Sequence, residues 1–308
     1  SEPWHLGVYR FIAALGLGGE WALGVALVME SWPEKRRPLM AGLIGASANL
    51  GYAIIAIIAI QFNVTRDSWR WVMMVGAAPA VLTFLIRLFV PESEKWKQSV
   101  RKGRSKPIQE IFSPALIRNT MFAILFSSVA LIVTWGIVQW IPLWADQMTG
   151  GKMPKVKAIV QLFSAMGAAA GCIIAPLIGG RFGRRPVFFG LCVCSFAVCQ
   201  LLFRAFHSYT SGFCWAVFAV GFFTAAFYGW LPLYLPELFP TRVRATGQGL
   251  SYNFGRILAA AGAWQMSSLM AFFDKSYAKA GATIVLIYIV GMVMIWFAPE
   301  TKGKPLPE

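Results

Sequence analysis

The sequence predicts an all-α membrane protein, and three observations carry that prediction. Of 308 residues, 57 % are apolar and 13 % charged, with a mean hydropathy of +0.61, whereas soluble domains run about 45–50 % apolar and about 25 % charged. A soluble chain of this length would form about two domains, each needing polar surface that this composition lacks. Nine runs are apolar over the ~20 residues a helix needs to cross a bilayer. The formal charge of +15 lies in the gaps between those runs and is not gathered on one basic stripe. It therefore reads as contact with anionic lipid and as membrane orientation, and it argues against a nucleic-acid partner.

In chain order, the first run (6–28) holds Gly16-x-Gly18-Gly19 and the charges of Arg10 and Glu20. No strand precedes these glycines, so they are not a phosphate loop; the residues before them lack a basic leader, so no signal peptide is expected. The second run (38–62) ends at Asn63-Val64-Thr65, a glycosylation sequon that hugs the membrane and is assigned no role. The third (70–90) is followed by a long basic gap ending in Ser113-Pro114. The fourth (119–141) carries Ser128, Trp135 and Gln139 on one face, and the fifth (158–178) contains Gly167-x-x-x-Gly171, a close-contact motif. The sixth is 187–206; the seventh (212–234) sets Thr224 near Tyr228, with Phe227 and Trp230 alongside. The eighth (247–271) carries Gln248, Tyr252 and Arg256, and the ninth is 281–298. Cys172, Cys192, Cys194, Cys199 and Cys214 all fall inside apolar runs, away from His5 and His207 in ligand spacing. They read as small packing residues, so neither a disulfide framework nor a metal site is expected.

Lys and Arg sort by side, 17 in the gaps after runs 1, 3, 5, 7 and 9 against 8 in the others. The positive-inside rule then places the C-terminus in the cytoplasm. Glu30-x-x-Pro33-x-x-x-Arg37 recurs as Glu237-x-x-Pro240-x-x-x-Arg244 at an offset of 207, and Pro91-Glu92-Ser93 recurs as Pro299-Glu300-Thr301 at 208. This repeat predicts two six-helix halves, residues 1–92 closing the first and 119–308 forming the second, joined by a cytoplasmic linker at 93–118. Nine of twelve helices are then present, with three expected to precede residue 1. Parallel repeats of this kind are expected of transporters.

With these motifs assembled, the sequence resembles the major facilitator superfamily from that family's fourth helix to its twelfth. The carriers are Arg10-x5-Gly16-x-Gly18-Gly19, the loop from Glu30 to Arg37, Pro91-Glu92-Ser93, Gly179-Gly180-Arg181-Phe182-Gly183-Arg184-Arg185, Pro236-Glu237-Leu238-Phe239-Pro240-Thr241-Arg242 and Pro299-Glu300-Thr301-Lys302-Gly303. The Pro-Glu-Ser and Pro-Glu-Thr endings look like those of sugar porters, yet the glutamines and Ser-Gly of the sugar-porter seventh helix are absent from Ser127 to Trp144. Gly18-Gly19-Glu20-Trp21, Gly229-Trp230-Leu231-Pro232-Leu233-Tyr234 and the stretch from Arg244 to Arg256 are more similar to metabolite and organic-acid symporters. Gly180 stands where the family usually carries an acid, which puts one gate ion pair in doubt.

Arg256 lies near the bilayer midplane, where a charge costs ~2.5–3.5 kcal/mol on insertion scales, so it needs compensation. Gln248, Tyr252 and Arg256 form one helical stripe with Asn253 beside it, turned to protein or water. Two readings stay open for Arg256: a guanidinium for a substrate carboxylate, or an arginine held by helix ends and carbonyls between the halves. Glu20 is the clearest intramembrane carboxylate, and burial would raise its pKa into a range useful for proton transfer; its alternative is packing against Trp21 or Asn49. Arg10, near the outer edge, would face an acid on the family's first helix. Trp135, Gln139, Tyr228, Phe227 and Trp230 are pocket candidates, with the interfacial aromatic belt as the competing reading for Trp140, Trp144, Trp230 and Tyr234. Arg181, Arg184, Arg185, Glu237, Arg242, Arg244, Glu30 and Arg37 are expected to form a cytoplasmic ion-pair gate.

The expected function is secondary transport of a small organic acid or related metabolite, coupled to protons, with no enzyme chemistry. A sugar or drug carrier, a non-transporting sensor and an inactive fragment are the alternatives. No cofactor is expected beyond the proton as coupling ion; the partners are a small-molecule substrate and the bilayer, for a monomer spanning the inner membrane many times.

Overall fold

The computed structural model describes residues 3–62, 64–65, 68–89, 98, 106–264 and 266–308. The elements among these residues are all helical. They are α1 (Pro3–Ser31), α2 (Arg37–Gln61), α3 (Trp69–Ala77), α4 (Pro79–Phe89), α5 (Pro107–Ile111), α6 (Ile117–Gly136), α7 (Ile141–Met148) and α8 (Val156–Phe182). Then follow α9 (Arg184–Ala205), α10 (Ser211–Ala225), α11 (Phe227–Tyr234), α12 (Thr241–Trp264), α13 (Met266–Phe272), α14 (Tyr277–Ile284) and α15 (Ile287–Met294). Among the described residues, seven stretches are long and apolar enough to cross a membrane. The expected run 70–90 falls on the shorter α3 and α4, which part at Ala78 because Pro79 has no N–H to continue the ladder. The expected run 247–271 falls on α12 and α13, where the polar stripe interrupts the apolar character. Asn63, Pro91 to Ser93 and most of the expected linker lie outside the described residues.

Packing is closest around α8. A Cβ at Gly171 would lie 1.9 Å from the Phe222 carbonyl oxygen, and one at Gly229 would lie 1.9 Å from that of Cys172. Helix backbones touch at both places, which only glycine permits. The Gly167-x-x-x-Gly171 motif is thus the seam between α8 and α10. At the end of α8, Gly183 takes φ +110°, a left-handed conformation favouring glycine, and turns the chain sharply into α9.

The core joins α6, α9, α11 and α15 through aromatic rings. Trp230 sits 4.6 Å from Phe188 and 4.5 Å from Tyr234, and Phe227 stacks on Tyr288 at 5.6 Å. Such pairs add ~0.5–1.5 kcal/mol each beyond burial. This corrects the expectation for Phe227, Trp230 and Tyr234, which are fully buried and belong neither to a pocket nor to an interfacial belt. Ala226 keeps a helical backbone between α10 and α11, and these three residues face Phe126 of α6, Phe188 of α9 and Tyr288 of α15. The cysteines are free thiols, four of them buried and Cys194 half-buried, as packing residues would be.

Candidate functional site

α1 and α12 lie antiparallel along a seam of small residues and carbonyl-directed amides. Gln248 donates from Nε2 to the Ala22 carbonyl at 2.5 Å, and Asn253 donates from Nδ2 to the Gly18 carbonyl at 2.8 Å. Gly18 and Ala22 are one helical turn apart and share a face of α1, so both crosslinks act on one stripe. Between them, a Cβ at Gly249 would meet the Ala22 Cβ at 3.0 Å, so the helices are in contact there. One turn further along α1 from Ala26 the seam ends in an ion pair, Glu30 Oε1 to Arg244 Nη1 at 2.7 Å, with both side chains almost wholly buried.

The other end of the seam holds the aromatic and cationic groups. Trp21 stacks on Tyr252 with centroids 4.0 Å apart and planes 15° from parallel, and the Arg256 guanidinium carbon lies 4.9 Å over the same Tyr252 ring. Arg256 also donates from Nη1 to Asn253 Oδ1 at 3.4 Å. No acid pairs with Arg256 among the described residues. Tyr228, on α11, brings its hydroxyl near Thr134, Tyr252, Cys172 and Tyr52. A half-buried guanidinium beside an aromatic platform, with both nearby amide donors already committed to backbone carbonyls, has the chemistry to attract an anion with an apolar body.

A second charged network gathers at the end of the bundle where α1 finishes and α2, α9 and α12 begin. Arg184 binds Glu237 through two parallel bonds, Nε to Oε2 at 3.0 Å and Nη2 to Oε1 at 2.5 Å, and spends its Nη1 on the Gly179 carbonyl at 2.8 Å. Thr301 Oγ1 donates to the same Glu237 at 2.6 Å. Glu300 caps the start of α9 by accepting from the backbone N–H groups of Arg184 and Arg185 at 2.9–3.0 Å. A carboxylate there satisfies orphan donors and meets the positive end of the helix dipole. Burial pushes the Glu300 carboxyl up, but its bonds from the Arg184, Arg185, Lys302 and Thr301 backbones outweigh this and hold it below its usual value. Arg244 also donates from Nε to the Pro236 carbonyl at 3.1 Å and from Nη2 to the Pro307 carbonyl at 2.7 Å. Arg242 pairs with Glu110.

The residues read from sequence divide accordingly. Gln248, Tyr252, Asn253 and Arg256 come together with Trp21, and Tyr228 lies beside them. Glu30 with Arg244 and Arg184 with Glu237 pair at the charged end. Arg37 is bound to the Met29 carbonyl at 2.9 Å, Arg185 contributes its backbone N–H, and the exposed Arg181 lies over Phe182 at 5.5 Å. These three make no ion pair among the described contacts, against the expectation of a wholly ionic gate. Gly180 presses on Pro38, whose Cγ would lie 2.9 Å from a Cβ, so the backbone approaches where an acid was expected. Glu20 is exposed: it is two residues from both Gly18 and Ala22, hence on the face of α1 opposite the seam. The expected contact with Asn49 is not formed, since Asn49 is bound to the Gly45 carbonyl and the Cys172 thiol. Arg10 is likewise exposed. Ser128 is buried and bound to the Ile124 carbonyl at 2.6 Å, while Trp135 is exposed, as is Gln139, which donates to the Trp135 carbonyl. Ser128 and Trp135 share a face of α6, while Gln139 lies past the end of the regular helix at Gly136. Sequence reasoning missed Trp21 as the platform partner, Glu110, and the capping role of Glu300.

Comparison with known proteins gives a consistent outcome. Residues 1–263 match the family model described as Major Facilitator Superfamily. A putative metabolite transport protein of Haemophilus influenzae is 27 % identical over 98 % of this chain and 75 % of its own length. The cis,cis-muconate transport protein of Acinetobacter baylyi is 30 % identical over 98 % of this chain and 74 % of its own. Among solved structures, the proton:xylose symporter XylE superposes with a TM-score of 0.71 at 19 % identity, covering 97 % of this chain and 72 % of that one.

Proposed function

Because this chain belongs to the major facilitator superfamily, whose relatives are multi-pass membrane transporters of metabolites and not enzymes, we propose that it carries a small organic acid by proton-coupled symport. One observation carries the reading: Arg256 is a half-buried guanidinium without a carboxylate partner among the described residues, lying over the Tyr252 ring that stacks on Trp21. A carboxylate supplies the charge that Arg256 needs in the membrane, and the stacked rings suit the flat body of an unsaturated acid. The muconate carrier among the relatives is consistent with such a substrate.

In this reading residues 1–92 and 119–308 act as two bundles joined by the linker at 93–118, and the site lies between them. The basic end faces the cytoplasm of the inner membrane by the positive-inside rule. With Glu30 bound to Arg244 the cytoplasmic end of the seam is closed, so the site opens outward in this state. Release requires the seam to part as the bundles rock about the site. Glu20, with Arg10 above it, takes the proton. Gln139 and Trp135 line the outer approach, and the protein works as a monomer without a cofactor.

The test is a thermal-shift screen of purified protein with cis,cis-muconate, xylose and a cationic drug at pH about 5.5 and about 7.5. A ligand at about 100 times its Kd stabilises by ~2.7 kcal/mol. Muconate stabilisation that strengthens at the lower pH supports the proposal; stabilisation by xylose or the cation alone overturns it.

A further inference from the structure

The Asn253 carboxamide does two things with its two ends. Its Nδ2 donates across the seam to the Gly18 carbonyl of α1 at 2.8 Å and within its own helix to Gly249 at 2.9 Å. Its Oδ1 accepts from Arg256 Nη1 at 3.4 Å. A single planar amide thus joins the guanidinium to the backbone of the facing helix. We propose that Asn253 is a positioning residue that transmits occupancy of Arg256 to the α1–α12 seam. The inference rests on the reading of Arg256 as the partner of the substrate carboxylate.

The physical argument runs through hydrogen-bond cooperativity. A cation on the oxygen of an amide polarises it and strengthens donation from its nitrogen. While Arg256 has no anion, its guanidinium keeps Asn253 oriented and the Nδ2–Gly18 bond at its strongest. A carboxylate draws Nη1 away, because a charge-assisted bond is shorter and stronger than one to a neutral amide. Asn253 then loses both its orientation and its polarisation, and the crosslink to Gly18 weakens. The remaining constraints on the seam are the Gln248 bond to Ala22 and the Glu30–Arg244 pair nearer the charged end. Substrate binding thereby loosens the part of the seam nearest the site first, which is the order needed for opening toward the far side.

Ala26 is buried on the seam between Ala22 and Glu30, so a cysteine there reports seam opening by its rate of reaction with a maleimide. The protein without that substitution supplies the background from its native thiols. In nanodiscs, cis,cis-muconate raises the labelling rate of Ala26→Cys in the otherwise unchanged protein. Asn253→Ala raises the ligand-free rate about threefold, the typical worth of an interhelical side-chain bond in a membrane, and muconate adds no further rise. Asn253→Asp raises the ligand-free rate similarly but weakens muconate binding at least tenfold relative to Asn253→Ala, because the new carboxylate occupies Arg256. A residue that only packed would alter the ligand-free rate and leave the response to muconate intact. Equal ligand-free rates in Asn253→Ala and its parent, or an unchanged muconate response in Asn253→Ala, overturns this inference while the organic-acid reading stands. Absence of muconate binding by the parent protein overturns that reading, and this inference falls with it.

Discussion

Neutralising Glu30 should loosen the charged end of the seam by an amount that the structure bounds. Glu30 Oε1 and Arg244 Nη1 are 2.7 Å apart and both side chains are almost wholly buried. At an effective dielectric constant of about 20, the gross attraction at that distance is about 6 kcal/mol. Desolvation of two ions offsets much of it, and removing one partner of a buried pair costs about 3–5 kcal/mol. Glu30→Gln keeps the volume and one acceptor, and Arg244 keeps its bonds to the Pro236 and Pro307 carbonyls. The loss should therefore lie at about 2–3 kcal/mol, the range of a bond to a charged group. At about 2 °C per kcal/mol for a large domain, Tm falls by roughly 4–6 °C. A double-mutant cycle with Arg244→Gln, read by thermal unfolding at one fixed scan rate, should show coupling of at least about 1.5 kcal/mol. Additivity within about 0.5 kcal/mol would mean that the residues act independently, and the reasoning about a desolvated pair would be refuted.

Four further outcomes follow from the same geometry. Arg256→Gln should weaken anionic ligands at least about tenfold more than neutral ones in binding assays, since a charge-assisted bond is lost; equal loss for both would leave Arg256 a structural role. Glu20→Gln should remove the pH dependence of uptake, and an unchanged pH profile would take Glu20 out of the mechanism. Gly229→Ala places a Cβ 1.9 Å from the Cys172 carbonyl oxygen; overpacking of this kind costs about 1–3 kcal/mol or more, so a reduced folded yield on size-exclusion is expected and a parental Tm would contradict it. Glu300 has a carboxyl held below its usual value, so its stabilisation is present above the unfolded-state pKa near 4.5 and fades as pH falls through the lower native value. Glu300→Gln should accordingly lower Tm at neutral pH, with the gap closing below pH about 4; a gap constant across that range would contradict the cap.

What was legible in the sequence was whatever depends on periodicity along one helix. Gln248, Tyr252 and Arg256 recur every fourth residue, so their common stripe follows from helical geometry alone. The close-contact role of Gly167 and Gly171 followed equally, because small residues at that spacing leave a groove that another backbone fills. What depends on which helix lies opposite was not legible. Glu30 and Arg244 are 214 positions apart, and their pairing exists only because α1 and α12 run antiparallel in register. The same register sends Glu20 to the opposite face, which no count along α1 alone reveals. Trp230 was misread for the same reason, since Phe126 of α6 and Phe188 of α9 close over it and make an apparent pocket residue core. Glu300 was visible as part of an ending motif, but its work lies at the start of a helix 116 positions earlier.

The central claim is transport of an organic acid driven by protons, and uptake into proteoliposomes tests it most directly. Vesicles at internal pH about 7.5 are placed in buffer at pH about 5.5 with labelled cis,cis-muconate. The account predicts accumulation above the external concentration, collapse on addition of a protonophore, and loss with Arg256→Gln. Failure of muconate to accumulate under that gradient, together with accumulation of xylose by the same vesicles, would contradict it.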